Sequence, residues 1–102
     1  MSLPVRLSEE AEADLRAAME WYDERQPGLG ERFLDAVKAA LQMVAANPAI
    51  GSRPPGVEDR DAKRVLVRRF PYAVVYYLTD QEIRVVAVAH GRRRPGYWRG
   101  RR

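Results

Sequence analysis

Tyr72-Ala73-Val74-Val75-Tyr76-Tyr77-Leu78-Thr79-Asp80-Gln81-Glu82-Ile83-Arg84-Val85-Val86-Ala87-Val88-Ala89-His90 is the stretch that decides the fold. Two runs rich in β-branched and aromatic residues flank Thr79-Asp80-Gln81, which has turn chemistry, so the spacing predicts a hairpin of strands 72–78 and 83–90. Both runs are apolar on both faces, the pattern of strands covered from two sides. Tyr72, Tyr76 and Leu78 share one face and Tyr77 takes the other, which leaves at least one tyrosine available at the surface if the set is not wholly packed into the core. His90 closes the second strand and shares its alternation with Val86 and Val88.

Working upstream, Lys63 to Arg69 sets Val65 and Val67 against Arg64, Leu66 and Arg68, which predicts a third strand that Arg69-Phe70-Pro71 breaks from the hairpin. Residues 48–60 carry three prolines and two glycines and read as a loop. Before it, Phe33, Leu34, Val37, Ala40, Leu41 and Val44 recur at helical spacing from about Gly30 until Asn47-Pro48, where the residue before proline avoids the helical region. A first helix is expected from Ser8 to about residue 25. Ser8 is a good N-cap, Glu9, Glu10 and Glu12 suit the positive end of the helix dipole, and Ala11, Leu15, Ala18 and Tyr22 form its stripe. Trp21 and Tyr22 are expected in the packing of that face. Gln26-Pro27-Gly28 ends the helix, and Leu3 to Leu7 precedes it as a short strand. The order is strand, helix, helix and three strands. It predicts one α+β domain over residues 1–102, a helical hairpin packed on a mainly antiparallel four-stranded sheet.

Composition narrows the chemistry. At 102 residues, 46% hydrophobic and 31% charged, the chain suits one small globular domain that buries roughly two-thirds of its unfolded surface. No apolar run reaches the roughly 20 residues of a membrane helix and no secretion signal opens the chain, so the expected location is the cytoplasm, without a membrane partner. The absence of cysteine excludes disulfides, thiolate metal sites and cysteine nucleophiles. Ser2, Ser8 and Ser52 lack a nucleophile-elbow context, and no phosphate loop or dinucleotide fingerprint is present. Neither a cofactor nor a metal is expected.

The net charge of +4 conceals a division. Residues 1–62 carry 7 Lys/Arg against 12 Asp/Glu, or −5, and residues 63–102 carry 11 against 2, or +9. A positive field confined to one end suits a polyanion or an acidic protein. A basic face beside largely apolar strands also offers a groove for an acidic amphipathic segment that folds on binding.

The order of elements, Trp21-Tyr22, Asn47-Pro48, Arg69-Phe70-Pro71-Tyr72 with Val75-Tyr76-Tyr77, and His90-Gly91-Arg92-Arg93-Arg94-Pro95-Gly96-Tyr97-Trp98 together resemble the RelE/ParE superfamily of bacterial type II toxins, in particular its ParE branch of plasmid stabilisation proteins. The resemblance implies a growth-inhibiting toxin neutralised by a cognate antitoxin. ParE-like members act on DNA gyrase, whereas RelE-like members cut messenger RNA on the ribosome, and a shared fold does not choose between them.

Metal-independent RNA cleavage needs a base, a cation beside the phosphorane and an acid for the leaving oxygen. His90, Arg93, Arg69 and Tyr97 are the candidates for a nuclease. Yet the chain has only two lysines, Lys38 and Lys63, and Asp80 and Glu82 belong to a turn. Arginine clamps charge and rarely serves as a base. The residues therefore favour a binding toxin, with Arg68, Arg69, Tyr72, His90, Arg92, Arg93, Arg94, Tyr97 and Trp98 as the target- or antitoxin-binding set. A ribosome-dependent nuclease and a non-toxic nucleic-acid binder are the alternatives. His90 has a plainer role available as a hydrogen-bonding residue at a strand end, Arg68 and Arg69 as ion-pair partners of the acidic helices, and Tyr97-Trp98 as an anchor that lays the tail on the sheet.

Overall fold

The computed structural model describes residues 3–59 and 61–101. Ser8 caps the first helix as its sequence requires: its side-chain oxygen accepts the Ala11 N–H at 3.1 Å, and α1 runs Glu9–Arg25. Gly28 takes a φ of 88°, a left-handed conformation in which a side chain is strained, and α2 follows at Leu29–Ala46. Four strands complete the domain: β1 (Val5–Leu7), β2 (Lys63–Leu66), β3 (Tyr72–Leu78) and β4 (Ile83–His90). They lie in the order β1-β4-β3-β2, with β1 parallel to β4 and the other pairs antiparallel.

Two strands are shorter than the alternation predicts. The third strand of the sequence reading stops at Leu66, because Arg69 adopts a φ of 72° and turns the chain so that the Val67 N–H donates to the Tyr72 carbonyl at 2.9 Å. The first strand begins at Val5, since Leu3 and Pro4 lie outside the ladder. Within the 48–60 segment, Pro48–Ile50 forms a turn of 3₁₀-helix and Ser52 exchanges two backbone bonds with Arg64, so the first part of this loop is ordered against β2.

The sheet is covered on both faces. Phe33, Val37, Val44 and Ala18 of the helical hairpin pack with Val74, Tyr76, Val85 and Val88 on one side. On the other, Val57, Ala62 and Trp98 pack on Val75, Tyr77 and Ala87. Tyr77 does lie opposite Tyr76, but Trp98, Val57 and Ala62 bury it, so it is not the exposed tyrosine that the alternation allowed. Trp21 departs from its expected place as well: it is 49% exposed, while Tyr22 packs beside Phe33 and Phe70.

A bulge changes the alternation of β4. Tyr76 opposes Val85 and Val75 opposes Ala87, so Val86 is an extra residue on β4. Val86 therefore turns to the second face with Ala87, and His90 keeps the company of Val88 but not of Val86. The bulge falls where β1 runs out, since Leu7 is its last paired residue, opposite Val85. Beyond that point no strand of the described residues lies beside the edge of β4.

Candidate functional site

The bare edge of β4 is closed by side chains. The Val88 N–H donates to Asp14 Oδ2 at 3.1 Å, and Arg101 Nη1 donates to the Val86 carbonyl at 3.2 Å and to the same Asp14 oxygen at 2.8 Å. Asp14 and Arg101 thus do for residues 86–88 what β1 does for residues 83–85. Their side chains are only 16% and 20% exposed, which makes this the most enclosed ion pair of the described residues. Tyr97 adds its hydroxyl to the same carboxylate at 3.4 Å. The C-terminal tail is tied by this contact to α1.

From the end of β4 the chain turns tightly. His90 Nδ1 accepts the Arg92 N–H at 2.9 Å, and the His90 carbonyl accepts the Arg93 N–H at 3.0 Å. With Nδ1 an acceptor, the proton of the neutral ring belongs at Nε2. The imidazole stands edge-on to Tyr72 at 5.0 Å, and Tyr72 in turn meets Phe33 at 4.8 Å. An aromatic chain from the helical core thus holds His90 in place. After the turn, the Arg93 guanidinium lies over the Tyr97 ring at 4.0 Å and Arg101 approaches it at 5.1 Å, so two cations flank one phenol.

Pro71, Tyr72, His90, Arg93 and Tyr97 form a ridge between two clefts. The first, about 340 Å³, opens on the second sheet face between the tail, residues 54–57 and β2; Arg64, Arg93, Arg94 and His90 line it together with apolar residues, among them Leu66, Ala73 and Trp98, and no carboxylate of the described residues does. The second, about 530 Å³, lies along α1 and holds Asp14, Trp21 and Tyr22. Six of the residues singled out in the sequence, Tyr72, His90, Arg93, Arg94, Tyr97 and Trp98, thus converge. Arg68, Arg69 and Arg92 border neither cleft, and Arg68 and Arg69 make no ion pair among the described residues. The sequence reading did not single out Asp14, Arg101 or Arg64. An acid beside the Ala11-Leu15-Ala18 stripe was the available signal for Asp14; Arg101 and Arg64 carried none.

Burial pushes the Tyr97 phenol above its ordinary 10.0, and the neighbouring Asp14 carboxylate pushes it the same way. Tyr72, Tyr76 and Tyr22 are raised chiefly by burial as well. A raised phenol keeps its proton in the folded state when the unfolded chain has already lost it, so these tyrosines make stability fall as pH rises above the ordinary value. Urea unfolding at increasing alkaline pH should show stability declining from about pH 10 upward. Tyr97→Phe should flatten that slope; an unchanged slope contradicts the burial of the phenol.

A family profile described as "ParE toxin of type II toxin-antitoxin system, parDE" matches residues 5–95. Solved structures share the fold. A chain from the chromosomal ParDE system of P. aeruginosa superposes with a TM-score of 0.75 at 16% identity, covering 87% of this chain and 96% of that one. A chain of the YoeB dimer from Staphylococcus aureus does so at 0.63 and 13%, covering 88% and 98%. No curated protein sequence matches. The α+β domain therefore has the fold shared by these structures. The chain belongs to the ParE toxin family of type II toxin–antitoxin systems.

Proposed function

We propose that this chain is a growth-inhibiting toxin that acts by binding DNA gyrase, is neutralised by a cognate antitoxin, and does not cleave RNA. The observation that carries this reading is how the ridge spends its reactive groups. His90 Nδ1 caps a turn, and the Tyr97 hydroxyl is directed to Asp14. Asp14, the only carboxylate among the described residues that borders either cleft, is held by Arg101. A nuclease needs a free base and an acid that gives up its proton readily, whereas a raised phenol donates reluctantly. What faces solvent is a row of exposed arginines, Arg92, Arg93 and Arg94, of which Arg93, stacked on Tyr97, and Arg94 stand beside apolar cleft walls, which is binding chemistry. The cytoplasm is the compartment of such a target, and no helix among the described residues is long and apolar enough to cross a membrane.

The test is a purified chain added in parallel to a gyrase supercoiling reaction and to a translating extract. Supercoiling should be inhibited while messenger RNA stays intact. Arg93→Ala combined with Arg94→Ala should weaken inhibition about tenfold or more, as loss of central charged contacts does, and His90→Ala should do so less. Ribosome-dependent cuts that vanish in His90→Ala would establish the nuclease instead.

A further inference from the structure

The cleft along α1 holds polar groups that neither the closure of β4 nor the terminal ridge uses. Five aromatic rings border it, those of Trp21, Tyr22, Tyr72, His90 and Tyr97, and the small Ala17 and Ala18 leave room among them. Trp21 is half exposed there, with the Arg25 guanidinium stacked on its ring at 3.4 Å and Tyr22 edge-on at 5.1 Å, so core packing does not account for it. Of the five tyrosines, Tyr76, Tyr77 and Tyr97 donate their hydroxyls to protein oxygens, whereas those of Tyr22 and Tyr72 have no hydrogen-bond partner among the described residues. The Asp14 carboxylate is half used as well: the Val88, Tyr97 and Arg101 donors all meet Oδ2, and Oδ1 has no partner among the described residues. After burial, it is the nearness of Tyr22 and of Asp14 that raises the Tyr72 phenol, so these three groups stand together. Two hydroxyls and a carboxylate oxygen set among ring faces, in a cleft of about 530 Å³, are the makeup of a small-molecule site.

We propose that this cleft binds a small planar heteroaromatic acid, its ring stacked among Trp21, Tyr22 and Tyr72, an N–H of its edge donating to Asp14 Oδ1, its ring acceptors meeting the two tyrosine hydroxyls, and its carboxylate set against Arg93. Each part of that ligand answers a feature of the cleft. The ring faces select a flat body. A carboxylate oxygen only accepts and a phenol also donates, which calls for a ring edge with donors and acceptors side by side. Charge selects the remaining group. Arg101 offsets Asp14, and Arg93, whose guanidinium lies over Tyr97 at 4.0 Å, makes no ion pair among the described residues, so the cleft takes an anion and not an organic cation. The cleft opens along α1, away from the second sheet face, but Arg93 and Tyr97 border both clefts. A bound acid therefore engages the same Arg93 that the ridge offers to a target, and the two compete for one guanidinium.

The probe is pterin carboxylate, a fluorescent bicyclic acid, titrated into the full chain while backbone amides and the Trp21 indole are followed by NMR. Shifts should concentrate at Ala17, Trp21, Tyr72 and Val88. Pterin, which lacks the carboxylate, and naphthoate, which lacks the hydrogen-bonding edge, should each bind about tenfold more weakly. Tyr22→Phe combined with Tyr72→Phe keeps both rings, and should weaken pterin carboxylate about fivefold to tenfold while leaving naphthoate unchanged. Arg93→Gln should do the reverse test, weakening the acid about tenfold and leaving pterin unchanged. Equal binding of the three compounds overturns the proposal, as does an affinity unmoved by Trp21→Ala or the absence of saturable binding up to about 1 mM. Shifts at Arg64 and Leu66 in place of these would put the acid in the other cleft, and displacement by a short oligoribonucleotide would assign the rings to nucleic acid; either result overturns it too.

Discussion

Replacing Asp14 by alanine is expected to destabilise the protein by about 2–4 kcal/mol, within the range found when one partner of an enclosed, hydrogen-bonded charge pair is removed. Three groups lose their acceptor together: the Val88 N–H, the Arg101 guanidinium and the Tyr97 hydroxyl. Arg101 would keep the Val86 carbonyl and its approach to the Tyr97 ring, with its side chain four-fifths buried and its ion-pair partner gone. Such a loss corresponds to a fall in melting temperature of about 10–20 °C for a domain of this size. Arg101→Ala should cost less, because Asp14 still accepts the Val88 amide, and Asp14→Asn should fall between the two by keeping an acceptor without the charge. Hydrogen exchange provides the decisive reading: the Val88 amide should lose its protection in Asp14→Ala. If that amide stays protected and stability shifts by less than about 0.5 kcal/mol, the carboxylate is not what closes the β4 edge.

Trp98→Ala should cost about 3–5 kcal/mol, the range for emptying a large aromatic site in a core. Trp98 is 3% exposed and packs on the second face of the sheet, 6.3 Å from the Tyr77 ring. Without it, Val75, Val86 and Ala87 lose much of their cover and the tail loses its apolar anchor. The effect should therefore spread to function: Arg93 and Tyr97 precede Trp98 by a few residues, and the ridge they build depends on the tail lying flat. Trp98→Phe, which keeps most of the apolar area, should recover more than half of the stability in urea unfolding. Equal losses in the two variants would show that the indole, and not its apolar bulk, holds the tail.

The hairpin, both helices and the boundary at Pro48 were legible because each rests on local chemistry: apolar runs around a turn, a capping serine, and a residue before proline. The short end of β2 was not. It depends on Arg69 taking a positive φ, which nothing in an alternating Lys63–Arg69 pattern announces. The placement of His90 was half legible. Its position at a strand end follows from sequence, but its alternation with Val86 fails because a bulge is decided by pairing against Tyr76. Likewise, Arg93, Arg94 and Tyr97 stood out as a cluster, whereas Asp14, 83 residues before Tyr97, joins them only through the fold.

By itself the sequence determined the order of elements, the amphipathic faces, the charge division and the family likeness, all of which depend on near neighbours along the chain. Tertiary structure alone decided that β1 ends opposite Val85, that Asp14 and Arg101 take over the edge it leaves, and that Tyr77 disappears beneath Trp98. These depend on which distant groups must satisfy one another once water is excluded. A backbone amide without a strand beside it must find an acceptor wherever the fold supplies one.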